Sequence, residues 1–179
     1  MRGLQHGTAA GGLTPINCAS SVEVHPPYGM PEVHATVQED GPVPSPDDYF
    51  DHDADIGIIG RGPTLERAFE SAATATFALM ADPQQVRGLG SVEVDFEEVD
   101  PELALVQWLN GLIGASRVQG LALGRFSLLR DGTHWIGRAW GDPWSSMHER
   151  GVEVKGATLT ALSVSQDASG WQARCVVDV

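Results

Sequence analysis

The sequence predicts an α+β domain over residues 49–179, with two helices packed on a mostly antiparallel or mixed β-sheet system. Three observations carry that reading. Two segments place apolar residues at helical spacing between start and stop signals. Several others are short alternating or apolar runs bounded by turn residues, as strands are. Nearly all of the Leu, Phe and Trp lie after residue 48, whereas residues 1–48 are rich in Gly, Pro, Ser and Thr. A segment of that composition buries too little apolar surface to offset its ordering entropy, so 1–48 reads as a disordered or loosely ordered extension.

The elements follow in order. Gly41-Pro42-Val43-Pro44-Ser45-Pro46 is the boundary, because alternate prolines hold the chain extended and stop structure spreading from the tail. One strand is expected from Tyr49-Phe50 on to Ile56-Gly57-Ile58-Ile59-Gly60. Leu65–Met80 is a helix: Thr64 caps it, Glu66 suits its first turn, and Leu65, Ala68, Phe69, Ala72, Thr76, Leu79 and Met80 recur at helical spacing. Asp82-Pro83 stops it. Ser91–Glu97 alternates and reads as a half-buried strand. A second helix starts at Asp100 as cap with Pro101 at its first position. It buries Leu105, Val106, Leu109, Leu112 and Ile113 and closes between Gly114 and Gly120. The remainder reads as β: Leu121–Arg130, a turn at Asp131-Gly132, Thr133–Gly141, Val152–Ser165, a turn at Asp167–Gly170, and Trp171–Val179.

Charge and cysteine content exclude several function classes. The formal charge is −13; six acids against one arginine in residues 1–48 leave −8 for the domain. Tight binding to RNA or DNA relies on Lys and Arg against phosphates, so an acidic domain argues against it. A metal cation or a basic protein suits such a surface better. Cys18 and Cys175 make neither a disulfide framework nor a thiolate metal motif. Cys175, in an apolar run, reads as a small core residue. No apolar run reaches the ~18 residues of a membrane helix, and the start lacks the apolar stretch of a signal peptide. A cytoplasmic location is therefore expected. Phosphate loops, nucleophile elbows, His-Glu-x-x-His and Cys-x-x-Cys are absent from the sequence, so no nucleophile stands beside its base.

The residues with chemistry in them lie at the two ends of the domain. Asp51-His52-Asp53-Ala54-Asp55-Ile56-Gly57 opens it, and Cys175-Val176-Val177-Asp178-Val179 closes it. On a strand, Asp51, Asp53 and Asp55 share one face and His52 takes the other. If the ends meet, Asp55, Asp178 and the Val179 carboxylate form an all-oxygen set suited to Ca²⁺, Mg²⁺ or Mn²⁺ rather than Zn²⁺. The alternative is a solvated strand start and an exposed chain end. Lys155, in Gly151-Val152-Glu153-Val154-Lys155, is the only lysine in the chain; it either joins this set or simply pairs with a neighbouring acid. His52 and His148 are candidates to ligate a metal or titrate near neutrality, or else hydrogen-bond within their loops. The five tryptophans read as core or core-edge residues, with Trp144, in a loop, a candidate contact residue.

Taken together these segments resemble the archease family. The resemblance runs from about Tyr49 to Val179. It rests on Asp51–Gly57 with Gly60 or Gly62 following, Thr64-Leu65-Glu66-Arg67-Ala68-Phe69-Glu70, Ala139-Trp140-Gly141-Asp142, His148, Gly151–Lys155 and Val176–Val179. It implies a small acidic α+β protein that is not itself an enzyme. Such a protein activates an RtcB-type RNA ligase of tRNA splicing and RNA repair, promoting guanylylation of the ligase by GTP and its repeated turnover. By resemblance, Asp55 and Asp178 match the metal-site acids, Lys155 matches the lysine of a Val-Lys-Ala segment, and calcium is the associated cation. Asp51, His52 and Asp53 would then face the partner. Two departures stand out. Asp53 replaces a usual Thr, which bears on cation choice. Gly156 and Thr160 replace a usual Ala and aromatic, which is expected to loosen the lysine's strand. Two other functions stay open on the residues alone: a stand-alone metal-dependent phosphohydrolase using the same acids, and a metal-independent chaperone-like module.

Overall fold

The computed structural model describes residues 43–179. The extension read as disordered therefore lies, up to residue 42, outside the described residues. Among the described residues the first element is a 3₁₀ turn at Pro46–Asp48, just ahead of Tyr49. Ser45 caps that turn, and Asp48 pairs with Arg61 at 2.8 Å.

The strands are β1 (Tyr49–His52), β2 (Asp55–Gly62), β3 (Gly90–Glu97), β4 (Leu121–Asp131), β5 (His134–Pro143), β6 (Gly156–Ala157), β7 (Ser163–Asp167) and β8 (Gly170–Asp178). The helices are α1 (Leu65–Ala78) and α2 (Pro101–Gln119). One sheet runs β1-β2-β8-β6, with β7 also paired to β8; the other runs β3-β5-β4. Every strand pairing among the described residues is antiparallel. Two helices on antiparallel sheets is the predicted α+β class.

Both helices form where their caps and periodicity place them. The Thr64 hydroxyl accepts the Arg67 N–H at 3.2 Å, and an Asp100 carboxylate oxygen accepts the Glu102 N–H at 2.8 Å. α2 continues through Gly114 to Gln119 and ends on Gly120, whose φ of 64° is the left-handed conformation that glycine adopts without strain. α1 meets β2 and β8 of one sheet and β4 of the other, so most of its circumference is buried. Its inward-facing polar groups are satisfied locally. The Thr74 and Thr76 hydroxyls donate to the carbonyls of Glu70 and Ala72, and the Glu70 carboxylate accepts the Leu128 N–H of β4 at 2.8 Å.

The core joins both sheets through aromatic packing. Trp108 of α2 is fully buried, and its indole N–H donates to the Phe69 carbonyl of α1 at 3.2 Å. Trp135 of β5 stacks between Phe69 and Phe96, with ring centroids 5.3 and 6.0 Å away. Cys175 is fully buried, and burial pushes its thiol pKa up to about 12, so it behaves as the small neutral core residue expected. Trp171 packs at the core edge, and Trp140 and Trp144 are half-buried.

Two stretches differ from the sequence reading. The single strand expected from Tyr49 to Gly60 is a hairpin, β1 and β2, that reverses at Asp53-Ala54 with Asp53 at a φ of 50°. Asp tolerates that left-handed conformation better than most residues. The stretch 152–165 is not one strand. Only Gly156-Ala157 and Ser163–Asp167 are β, and Val152–Lys155 is extended chain outside the ladder. Its hydrogen bonds go to Arg117 of α2, to the Leu79 carbonyl after α1 and to the end of β8, which local sequence pattern does not encode.

Candidate functional site

The hairpin overturns the expectation that Asp51, Asp53 and Asp55 share one face. Antiparallel register sets His52 opposite Asp55, and Asp51 opposite Ile56. Directly paired residues point the same way, so Asp55 shares its face with His52, while Asp51 takes the other face. Asp53 belongs to the turn. That other face is the helix side, since Tyr49, also on it, donates its hydroxyl to the Ala75 carbonyl of α1 at 3.0 Å. Among the described residues, His52 Nδ1 is a buried ring nitrogen without a hydrogen-bond partner.

The two ends of the domain do meet. β2 pairs with β8 along its length, the outermost pair being Ile56 and Val177. The next residues outward, Asp55 and Asp178, lie at the same end of these strands and, by alternation, on the same face. Lys155 joins them from the extended chain just before β6. Its backbone N–H donates to the Asp178 carbonyl at 2.7 Å, and its Nζ donates to the Val179 main-chain oxygen at 2.8 Å. The same Nζ lies 3.6 Å from Asp178 Oδ1. The side chains of Lys155 and Asp178 remain 59% and 50% exposed, so a partner can reach both. At such exposure the pair adds little to stability, which makes a purely structural role a weak reason for it.

The donors here are carboxylate and main-chain oxygens, which suits a hard divalent cation and not Zn²⁺. Among the described residues no three His, Cys, Asp or Glu side chains cluster closely enough to hold an ion by themselves. A cation would therefore need Val179 main-chain oxygen beside Asp55 and Asp178, and it would share these groups with the Lys155 ammonium.

Two residues that sequence reasoning missed grip the lysine segment. Arg117, in the last turn of α2, donates to the carbonyls of Val154 at 2.8 Å and Lys155 at 3.1 Å. Asn110, about two turns earlier on the same face of α2, donates to the Ala157 carbonyl at 3.0 Å and accepts the Ala157 N–H at 2.8 Å. The only sequence signal was a polar residue interrupting an apolar helix.

His148 belongs elsewhere. It is buried, its Nδ1 accepts the Ser145 N–H at 3.2 Å, and its Nε2 lies 3.8 Å from Asp142 Oδ2. Trp144 packs edge-on against His148 and carries the Arg150 guanidinium 4.4 Å above its ring. Asp142 is itself buried and accepts the N–H groups of Arg87 at 3.0 Å and Leu89 at 2.9 Å. Burial pushes its carboxyl pKa up, but these N–H groups and the Arg87 guanidinium pull harder and hold it below the usual carboxylate value. A cleft of about 300 Å³ between Arg67, Glu70, Leu128 and Arg130 is likewise apart from the chain-end cluster.

Residues 48–179 match the model of the archease protein family. The protein archease of Sulfolobus acidocaldarius is 37% identical over 137 residues, covering 74% of this chain and 97% of that one. The Pyrococcus furiosus archease is 31% identical over 138 residues, with the same coverage. The solution structure of protein 1598 from Methanobacterium thermoautotrophicum superposes with a TM-score of 0.67 at 29% identity, covering 74% of this chain and 97% of that one. The crystal structure of a Thermotoga maritima archease, described as a possible chaperone, shares the fold at a TM-score of 0.52 and 20% identity, covering 73% and 94%. Because the matched region takes in the acidic hairpin, both helices, the lysine segment and the last strand, the chain belongs to the archease family.

Proposed function

We propose that this chain is a non-enzymatic activator of an RtcB-type RNA ligase, promoting guanylylation of the ligase by GTP and its repeated turnover. The observation that supports it most is the exposed junction at the end of β8, where one ammonium, Lys155 Nζ, contacts the Val179 main-chain oxygen and faces Asp178. Asp55, Asp178 and Val179 would hold a divalent cation, calcium by preference and magnesium or manganese by the same donor chemistry. A bound cation would supply positive charge for phosphate oxygens; the chain's own part is to orient Lys155 and present both to the partner. Asp53 at the hairpin turn, with His52 and Asp51 beside it, would face the ligase. The domain's charge of −8 favours docking on a basic protein over gripping RNA. Among the described residues no helix is long and apolar enough to cross a membrane, and we place the chain with the ligase in the cytoplasm. If the chain favours nucleotide-bound ligase, nucleotide must tighten its binding by the same factor.

One observation favours a second reading. The lack of a three-side-chain metal cluster among the described residues suits a metal-independent, chaperone-like module, the role suggested for the Thermotoga relative. Multiple-turnover RNA ligation separates the readings. The chain is added in substoichiometric amounts as wild type, Asp55→Ala, Asp178→Ala and Lys155→Ala. Stimulation by the wild type and its loss in the variants supports the activator. Undiminished stimulation by the variants supports the metal-independent module. Absence of any stimulation, with turnover of phosphoesters by the purified chain that Asp55→Ala abolishes, would point to a phosphohydrolase.

A further inference from the structure

Val152–Lys155 lies outside the β ladder, and Gly156-Ala157 is only a two-residue strand at the sheet edge. Such a segment is expected to be poorly ordered, because few backbone hydrogen bonds hold it. Beyond the Val152 N–H on the Leu79 carbonyl and the Lys155 N–H on that of Asp178, α2 side chains supply further ones. Asn110 makes both hydrogen bonds of the Ala157 backbone, the pattern a neighbouring strand residue would make. Arg117 takes the carbonyls on either side of the Val154–Lys155 peptide, and its guanidinium also lies 3.7 Å from Glu153. Between the two grips sits Lys155, whose N–H is on Asp178 and whose Nζ is on Val179.

We propose that Asn110 and Arg117 are positioning residues that set the Lys155 ammonium on the chain-end oxygens, a role that rests on Lys155 being a working residue of the activator. Gly156 is part of the same device. A Cβ at that position would lie 3.1 Å from Asn110 Oδ1, tighter than ordinary contact, so glycine makes room for the amide grip. The replacement of the family's usual alanine, expected to loosen the lysine's strand, is thereby accompanied by a side-chain clamp. Arg117 suits its position on physical grounds as well. It sits at the C-terminal end of a 19-residue helix, where a cation is favoured, and its planar fork reaches two carbonyls at once.

Lys155 is the chain's only lysine, so growth on isotope-labelled lysine gives a spectrum of one residue. The test compares the full-length wild type, Arg117→Met, Asn110→Ala and the double variant by NMR. Folding is checked by thermal unfolding, and ligase stimulation is titrated to saturation. In the wild type the two ε-methylene protons of Lys155 should be inequivalent and its amide protected. In the double variant they should coalesce, and amide exchange should rise at least about tenfold, the factor expected for a few lost hydrogen bonds. Maximal ligase stimulation should fall while the half-saturating amount stays close to the wild type, since contact surface is left intact. Arg117 is 44% exposed, so Arg117→Met folds and shows part of the effect even where the double variant does not. Unchanged Lys155 signals in the folded variants overturn the proposal. So does undiminished stimulation from a variant whose Lys155 signals have collapsed, provided Lys155→Ala abolishes it. If Lys155→Ala stimulates like the wild type, the reading of Lys155 as a working residue of the activator fails, and the NMR comparison still decides whether α2 sets the lysine.

Discussion

Replacing Asp142 by asparagine should lower stability by about 2–4 kcal/mol near neutral pH, and the loss should fade in acid. The carboxylate is buried and accepts two backbone N–H groups, from Arg87 and Leu89, with the Arg87 Nε at 3.4 Å. Asparagine offers one acceptor oxygen and turns an NH₂ toward the other donor. One buried N–H then goes unmet, at about 1–3 kcal/mol, and the surviving bond loses its charge assistance. The Arg87 ion pair itself adds little, because its side chain is 66% exposed. For a domain of this size the total corresponds to a fall in Tm of about 10 °C. The pH dependence follows from the carboxyl's depressed value in the fold. A depressed acid stabilises fully above its unfolded pKa, about 3.9, and the contribution is lost as pH falls through the lower folded value. The gap between wild type and Asp142→Asn should therefore be constant from pH 7 down to about 5 and close below about 4. Thermal unfolding followed by circular dichroism across that range measures it. Equal Tm values at pH 7, or a gap that persists undiminished in strong acid, would refute the reasoning.

Other expectations can be checked with single substitutions. Gly137→Ala puts a methyl group into the Trp108 ring, which is fully buried and tied by its indole N–H to Phe69. It should cost about 1–3 kcal/mol in urea unfolding at unchanged m; an unchanged midpoint would contradict the packing described. Gly156→Ala should gain less in the wild type than in an Asn110→Ala background, where relief of the unfolded-state entropy is worth about 0.4–1 kcal/mol. A double-mutant cycle with no coupling would remove the proposed contact between Gly156 and Asn110. The hydrogen bond that His134 Nε2 makes to the Asp95 carboxylate raises the His134 pKa above the usual value. Asp95→Asn should lower it in an NMR titration. The stabilisation this pair gives is present at low pH and fades as pH rises through the folded His134 value.

The helices and the β4–β5 hairpin were legible because their signals are local. Thr64 and Asp100 cap within three residues of themselves, and the buried stripes of α1 and α2 repeat every turn. The hairpin at Asp53-Ala54 was not legible: polar residues run through both strand ends, and a non-glycine residue at positive φ carries no strong turn signature. The extended segment 152–155 was missed for a different reason. Its alternation looks like a strand, but its partners are Arg117 and the carbonyls of Leu79 and Asp178, all distant in sequence. At the candidate site, the expectation that the two ends of the domain meet rested on residue types alone. The register of β2 on β8 supplies the geometry, bringing Asp55, Asp178 and Lys155 to one end and leaving Asp51 on the opposite face.

The most direct measurement is the rate at which the organism's RtcB-type ligase becomes guanylylated from labelled GTP, with and without a substoichiometric amount of this chain. An activator working through the β8 junction predicts a faster rate and catalytic use of the chain, lost in Lys155→Ala and Asp178→Ala variants whose thermal unfolding is unchanged. An active ligase whose guanylylation rate the wild-type chain leaves untouched would contradict it.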